Sequence, residues 1–550
     1  MSLRPQVLYL VPQETARVAR SIFPKGHPYL LMYDTLGTIF QDRDFAALFP
    51  SDGQPAEAPV RLALATILQF AEGLSDRQAA DAVRSRIDWK YLLCLDLTDP
   101  GFDHTVFSEF RSRLLEHDAE WLLFDILLTK FREAGLLKRR GKQRTDSTHV
   151  LAAVRALNRL ECVGETMRHA LNALAVAAPA WLLTHSHPDW VDRYGPRVDD
   201  YRLPESQAER RAYAELVGAD GRTLLSAIAA PTAPAWLREV PAVQTLYRVW
   251  VQNYTWHNEH LVWREASDIP PAELFISSPY DLDAHYARKH STSWVGYKVH
   301  LTETCDDDGP HLITHVETTS GPVADGAVIG CIHETLKEKD LLPSKHFVDM
   351  GYVDAELLAN SQQEYGVDLF GPARGDIHEQ ARSGEGFDAQ QFVIDWEAKQ
   401  ATCPAGRHSV SWTPAVDNRD NDVIKLKFAR GDCRVCEHQA ICTTSSPPRR
   451  TLTIRPRDQY LALQAARARQ GTEEFKEEYA TRSGIEGTLS QGIRGFGMRR
   501  SRYFGQPKTH LQNVLTATAM NVVRASMWLA ETPRARTRQS AFMRLYKTAA

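Results

Sequence analysis

Two aspartates stand where their residue type is out of place, and a third acid follows an arginine at helical spacing. In "KQRTDSTHVLAAV", residues 142–154, a Thr- and Val-rich run reads as a strand. Asp146 lies inside it, where strands avoid acids. Such an acid is either a surface-facing strand residue or a carboxylate held rigidly for chemistry. In "HFVDMGYVD", Asp349 ends a short apolar strand, the end of an α/β sheet at which sites form. It could cap the helix that follows, but Asp354 is nearer and better placed to do so. On neighbouring strands the two carboxylates would repel, and a divalent cation between them is the natural resolution. Tyr479, Arg482 and Glu486 fall three and four residues apart, on one face of a helix. Arg482 can steady a phosphate or Glu486 itself, and Glu486 can reach toward the metal. A surface ion pair suits Glu473, Glu474, Glu477 and Glu478 better than Glu486, which stands among Gly, Ile and Thr.

The cysteines divide into two sets. Cys403, Cys433, Cys436 and Cys442 gather in one polar segment, with a C-x2-C pair at "DCRVC". Four thiolates so close suit a structural Zn²⁺, with His408 and His438 as reserve ligands. Cys94, Cys162, Cys305 and Cys331 are scattered on apolar stretches and read as core residues. Eight cysteines in 550 residues do not suggest a disulfide framework. His185, His187 and Asp189 in "HSHPDW" share the start of a hydrolase metal motif, but Trp190 replaces its last His. A helix end and turn around Pro188 fits better.

Charge is unevenly spread. The net charge is −4, yet after Glu486 the only acid is Glu531, among Arg494, Arg499, Arg500, Arg502, Lys508, Arg524, Arg534, Arg536 and Arg538. A basic end on a slightly acidic protein can mark a polyanion-binding face, or be a solvated tail. The hydrophobic fraction of 43% is that of a folded protein with real cores. No run is long enough to span a bilayer and no signal segment opens the chain, so the expected home is the cytoplasm.

The elements that must position these residues read as a mixed α/β protein. Residues 1–140 form an all-helical N-terminal domain for DNA binding or dimerisation, with a helix-turn-helix outline around Gly73 and a helix start at Ser75-Asp76. Residues 141–155 give the first core strand and 156–284 a mostly helical insertion. Residues 285–375 continue the core, with two β-runs around the Asp306–Asp308 turn, then helix, strand, helix, strand. A cysteine-rich insertion spans 376–456, the part of the core carrying Glu486 spans 457–530, and a basic tail spans 531–550.

At this point the chain resembles the DDE transposases of bacterial insertion sequences, and among them the insertion-sequence-1182 group. The likeness rests on "QPAEAPVRLALATILQFAEGLSDRQAADAVR", "RTDSTHVLAAVRALNRLE", "TSWVGYKVHLTETC", "HFVDMGYVDAELL" and "SRYFGQPKTHLQNVLTATAMN". It implies an RNase H-like core, in which the cysteine-rich segment would sit as a zinc-ribbon-like insertion on the strength of its cysteine spacing, and a triad of Asp146, Asp349 and Glu486 holding Mg²⁺ or Mn²⁺. Two such ions, roughly 3.5–4 Å apart, serve both strand nicking and strand transfer. The implied partners are duplex DNA, as terminal inverted repeats and target, and a second copy of the chain at least, with no membrane. Tyr479, Arg482, Arg494, Arg499, Arg500, Arg502 and Lys508 are the expected DNA contacts. Relatives carry Tyr, Arg, Glu and Lys at Y-x2-R-x3-E-x6-K; here Ile493 holds the Lys position, and Arg494 could serve instead. Two other readings stand beside this one: an RNase H-like nuclease that cuts without joining, and a DNA-binding regulator without catalysis. The three intact acids speak against the regulator.

Overall fold

The computed structural model describes residues 2, 3, 5, 9–258, 260–376, 379–382, 386–532 and 540–548. The expected basic tail at Arg534, Arg536 and Arg538 lies outside the described residues.

A six-stranded mixed sheet carries the two aspartates. Its strands are β1 (Lys142–Leu151), β2 (His285–Lys289), β3 (Thr292–Thr304), β4 (Ile313–Ser320), β5 (Lys345–Phe347) and β6 (Asp368–Phe370). β3 lies antiparallel to β1, with Gln143 opposite Thr304 and Leu151 opposite Gly296. The far side of β3 is shared by β4 and β2. β5 runs parallel to β1, and β6 parallel to β5. The parallel strands need crossovers, supplied by helices Ile329–Glu338 and Ala355–Tyr365. β3 is buried along nearly its whole length, as in a sheet covered on both faces. Strand β2 is an addition to the sequence reading, which placed no strand at "HYARK".

The N-terminal region is helical as expected. Helix α1 (Pro59–Glu72) ends on Gly73 in the left-handed conformation, and α2 (Asp76–Ser85) starts on a capping box formed by Ser75 and Gln78. Helix α3 (Gln506–Leu529) is buried on almost every side, which suits a helix running between other layers. Its Asn521 side chain accepts from the Ile313 N–H and donates to the Ile313 carbonyl, both at 2.7 Å, closing the edge of β4. One hydrophobic core joins the N-terminal helices, α3 and the sheet.

The two insertions have cores of their own. Residues 156–284 pack helices Arg159–Ala177, Gln207–Ala229 and Pro241–Asn253 around Val163, Met167, Leu224 and Trp250, with a hairpin of strands Tyr254–His257 and His260–Trp263. The cysteine-rich segment is a three-stranded sheet, Ser409–Val416, Asp422–Phe428 and Thr451–Ile454, around Phe392, Leu426 and Phe428. Cys331 departs from expectation: it is exposed, because Ile329, Ile332 and Leu336 form the inward face of its helix. Among the described residues no helix is long and apolar enough to cross a membrane.

Candidate active site

Asp146 is not a surface-facing strand residue. Its side chain is 11% exposed; one oxygen accepts the Ser147 N–H at 2.8 Å, and the other accepts from Arg482 Nη2 at 2.6 Å. Burial pushes its carboxyl up to about 6, against the pull of Arg482 and Ser147 and with a further push from Asp349.

Asp349 and Asp354 both cap. Asp349 accepts the Gly351 N–H at 2.7 Å and opens the single turn Met350–Tyr352, while Asp354 accepts the Leu357 N–H and opens Ala355–Tyr365. Capping takes one oxygen of Asp349; the other lies 4.0 Å from Arg482 Nη2.

Tyr479, Arg482 and Glu486 do not share one unbroken helix. Helix Glu473–Tyr479 passes through a 3₁₀ turn, Ala480–Ser483, into α4 (Gly484–Gly495), which lies before α3 in the chain. Arg482 Nη1 still reaches Glu486 at 3.3 Å, four residues on. One guanidinium therefore contacts all three acids. Glu486 is the outlying member, its side chain 67% exposed where Asp146 is 11%. Arg482 Nε is buried without a hydrogen-bond partner among the described residues, so the guanidinium keeps an unused donor. Tyr479 stacks on Phe475, which stacks on Phe370 of β6.

A buried clasp seats this segment on the sheet. Glu303 of β3, fully buried, takes hydrogen bonds from Arg144 Nε at 2.7 Å, Arg524 Nη1 at 2.7 Å and Thr488 Oγ1 at 2.6 Å. Burial disfavours its ionised form, but the two guanidiniums outweigh that and hold the carboxyl below its usual range. Arg144 also donates to the Thr481 carbonyl at 2.6 Å, one residue before Arg482. Gly484 is required here, since a Cβ would lie 2.1 Å from Arg144 Nη1.

The expected DNA contacts separate into two groups. Arg499 donates to Thr148 Oγ1 and the His149 carbonyl, and the backbone at 499–501 pairs with Leu151 at the end of β1. Arg502 lies over the Phe70 ring and donates to the Leu74 carbonyl, joining this segment to α1. Arg494, Arg500 and Lys508 are exposed, and their side chains have no partner among the described residues. The sequence reading missed Asp325, whose carboxylate meets Lys298 at 2.7 Å, Lys289 at 3.4 Å and the Ser147 hydroxyl at 3.3 Å. Its type, at the start of a helical stretch, reads as an ordinary cap.

The four clustered cysteines line one cavity of about 30 Å³. The Arg407 N–H points to Cys403 Sγ at 3.3 Å and the Arg450 N–H to Cys433 Sγ at 3.4 Å. Burial pushes the Cys442 thiol up, Arg450 pulls it down, and Cys433, Cys403 and Cys436 push it up again. His408 and His438 are not part of the lining; they meet Thr402 and Phe387. Among the described residues no three His, Cys, Asp or Glu side chains close on a common point as a bound metal requires.

Comparison with known proteins adds two regions. Residues 17–113 match the family model "Transposase domain (DUF772)", and residues 402–526 match "Transposase DDE domain". The second contains the four clustered cysteines, Tyr479, Arg482 and Glu486; Asp146 and Asp349 lie before it. No curated protein matches the chain. The two matches support a transposase of the DDE family.

Proposed function

We propose that the protein is an insertion-sequence transposase of the 1182 group, which cleaves the inverted-repeat ends of its element and joins them to target DNA. The observation that carries this reading is the convergence of Asp146, Asp349 and Glu486 on one guanidinium. The strand order supports an RNase H-like core: β1, β3 and β4 pair antiparallel, with β2 added beside β3, and β5 and β6 run parallel to β1, with Asp146 on the first strand and Asp349 just past β5.

Carboxylate oxygens are the donors that a hard divalent cation, Mg²⁺ or Mn²⁺, prefers, and the three acids share Arg482 rather than closing on one metal point. Asp146, Asp349 and Glu486 would hold the ions. A bound pair supplies activation of the attacking oxygen and relief of charge on the leaving one. Asp349 is fixed by the Gly351 N–H and keeps its second oxygen outside hydrogen-bond reach of Arg482, whereas both Asp146 oxygens are engaged, one by the Ser147 N–H and one by Arg482, which a bound cation would have to displace. Arg482, with an unused Nε–H, is placed to hand its charge to a phosphate oxygen once the acids are otherwise neutralised. Among the expected DNA contacts, Arg494, Arg500 and Lys508 are exposed and free to grip duplex phosphates. Arg499 and Arg502 each engage Nη1 within the chain, holding the end of β1 and the N-terminal helices, and keep their other donors for a phosphate. The four thiols share one cavity, and their residue type and spacing are those of a structural Zn²⁺ site, which binding would have to draw onto one point. At least a dimer is expected in the bacterial cytoplasm, because two DNA ends must be paired.

The deciding assay incubates the full chain with terminal-repeat DNA, Mg²⁺ and a target plasmid. Joined products are the expected outcome. Nicked ends without joining would favour the nuclease reading, and intact but bound DNA would favour the regulator.

A further inference from the structure

The tip of the β2–β3 hairpin reaches past β1. The Ala152 N–H still donates to the Val295 carbonyl, and His285 and Tyr286 at the base of β2 bond to Phe275 and Ser277; beyond these, β3 continues to Thr292 with β2 as its paired strand. The exit is tight. Gly296 has φ +147°, and a Cβ there would meet the Val150 carbonyl at 2.3 Å and the Ala152 nitrogen at 2.6 Å. At the tip stand Arg288, Lys289 and His290, all exposed.

The arm is coiled back toward the acids. Lys289 pairs with Thr292, six positions along β3 from Lys298, which in a flat strand is roughly 20 Å. Yet Lys289 Nζ lies 3.4 Å from one oxygen of Asp325, and Lys298 Nζ 2.7 Å from the other. Asp325 is thus the carboxylate that seats the arm. It also takes the Ser147 hydroxyl at 3.3 Å, and the Ser147 N–H holds Asp146. Gly351 separates it from the second aspartate: a Cβ there would lie 3.0 Å from Asp349 Oδ1 and 3.4 Å from Asp325 Oδ2.

At Asp325 two ammoniums face one carboxylate, and Lys289 also pulls on the Asp146 carboxyl, so it stands between the arm and the acids. Arg288 adds an uncompensated cation at the tip, since its only hydrogen bond among the described residues goes to the His290 carbonyl at 3.1 Å. We propose that the tip is a phosphodiester-binding site: Arg288 and Lys289 take phosphates of the strand next to the one at Asp146 and Asp349. Asp325 is the positioning residue that keeps the arm there. The inference rests on the transposase reading for the presence of DNA at the acids.

Binding of mixed-sequence duplex DNA by the full chain, titrated over a salt series, tests it. The Arg288→Ala/Lys289→Ala double variant should flatten the slope of log affinity against log salt by about two units. Its melting temperature should change little, because both side chains are exposed and Lys298 keeps Asp325 paired. A photo-crosslinker on His290→Cys should label the DNA strand well above the unsubstituted protein. Asp325→Asn frees two lysines, so its salt slope should stay at least as steep. Its nicking of supercoiled plasmid in Mg²⁺ at saturating DNA should nevertheless fall about tenfold, with partial recovery in Asp325→Glu. Structural damage alone would lower melting temperature and affinity together and would overturn the role of Asp325. An unchanged slope in the double variant, or no crosslink, overturns the arm as a DNA contact while leaving the transposase reading standing. A wild-type chain that binds no duplex would sink that reading first, and the arm with it.

Discussion

At the scale of single residues, the site is held together by one positive charge, and the acids around it differ in how firmly they are fixed. Asp146→Asn, Asp349→Asn and Glu486→Gln should each reduce nicking by at least roughly 10²-fold, the usual cost of losing one placed charge in an active site. Affinity for duplex DNA should stay within about threefold, because it comes from phosphate contacts elsewhere. Nicking near the wild-type rate in any one of the three would remove that residue from the site. Asp146 could be read in the sequence because a carboxylate in a β-branched run needs a reason, and Asp349 because it closes a short apolar strand. Arg482 was legible only as a neighbour of Glu486; its bond to Asp146 crosses more than three hundred residues of chain. Asp325 was not legible at all. Its partners Ser147, Lys289 and Lys298 come from three separate segments, and nothing local marks it as more than a cap.

At the scale of elements, one device holds the chemistry in place and the cysteine segment forms a unit of its own. The Glu303 clasp ties β1, β3, α4 and α3 together with no water-exposed member at its centre. Glu303→Ala would leave two guanidiniums facing an empty, buried site. It should cost about 3–5 kcal/mol of stability, the range for breaking a buried ion pair from one side. Chemical denaturation measures this, and a loss below about 1 kcal/mol would show the arginines finding water instead. Its sequence signal was absent, since Glu303 in "HLTETC" looks like the outward residue of an edge strand. The cysteine segment packs around a core of its own. Zinc by elemental analysis should approach one per chain, and Cys433→Ser should lower both zinc content and melting temperature. A metal-free, fully active protein would show four ordinary thiols. The grouping of the four cysteines was legible in the sequence, because they fall within one short segment, and they do line one cavity; a metal among them is what the elemental analysis decides. The β2–β3 arm was not, because five residues, "HYARK", carry too little alternation to stand out as a strand.

At the scale of the whole molecule, one core unites the N-terminal helices with the sheet, and buried histidines are built into it. His300, His333 and His510 are each pushed down to about 4 by burial. His346, also fully buried, lies well below its usual value for the same reason, beside His333 at 2.9 Å. These imidazoles stay neutral in the folded chain, whereas in the unfolded chain they take up protons near pH 6.5. Between about pH 6.5 and pH 4 the unfolded state therefore binds more protons, and stability falls as pH falls. Asp146 acts in the opposite sense. With its carboxyl raised to about 6, the folded state holds that proton more tightly, which stabilises the fold as pH drops. One such group is set against several histidines, so the histidines should prevail. The melting temperature of the full chain should fall between about pH 7.5 and pH 5. His333→Asn, which removes one titrating ring from the buried pair, should show a shallower fall even if it starts lower. A melting temperature that is flat or rising toward pH 5 would mean that these histidines reach solvent, and that the core between helices and sheet is looser than their burial implies.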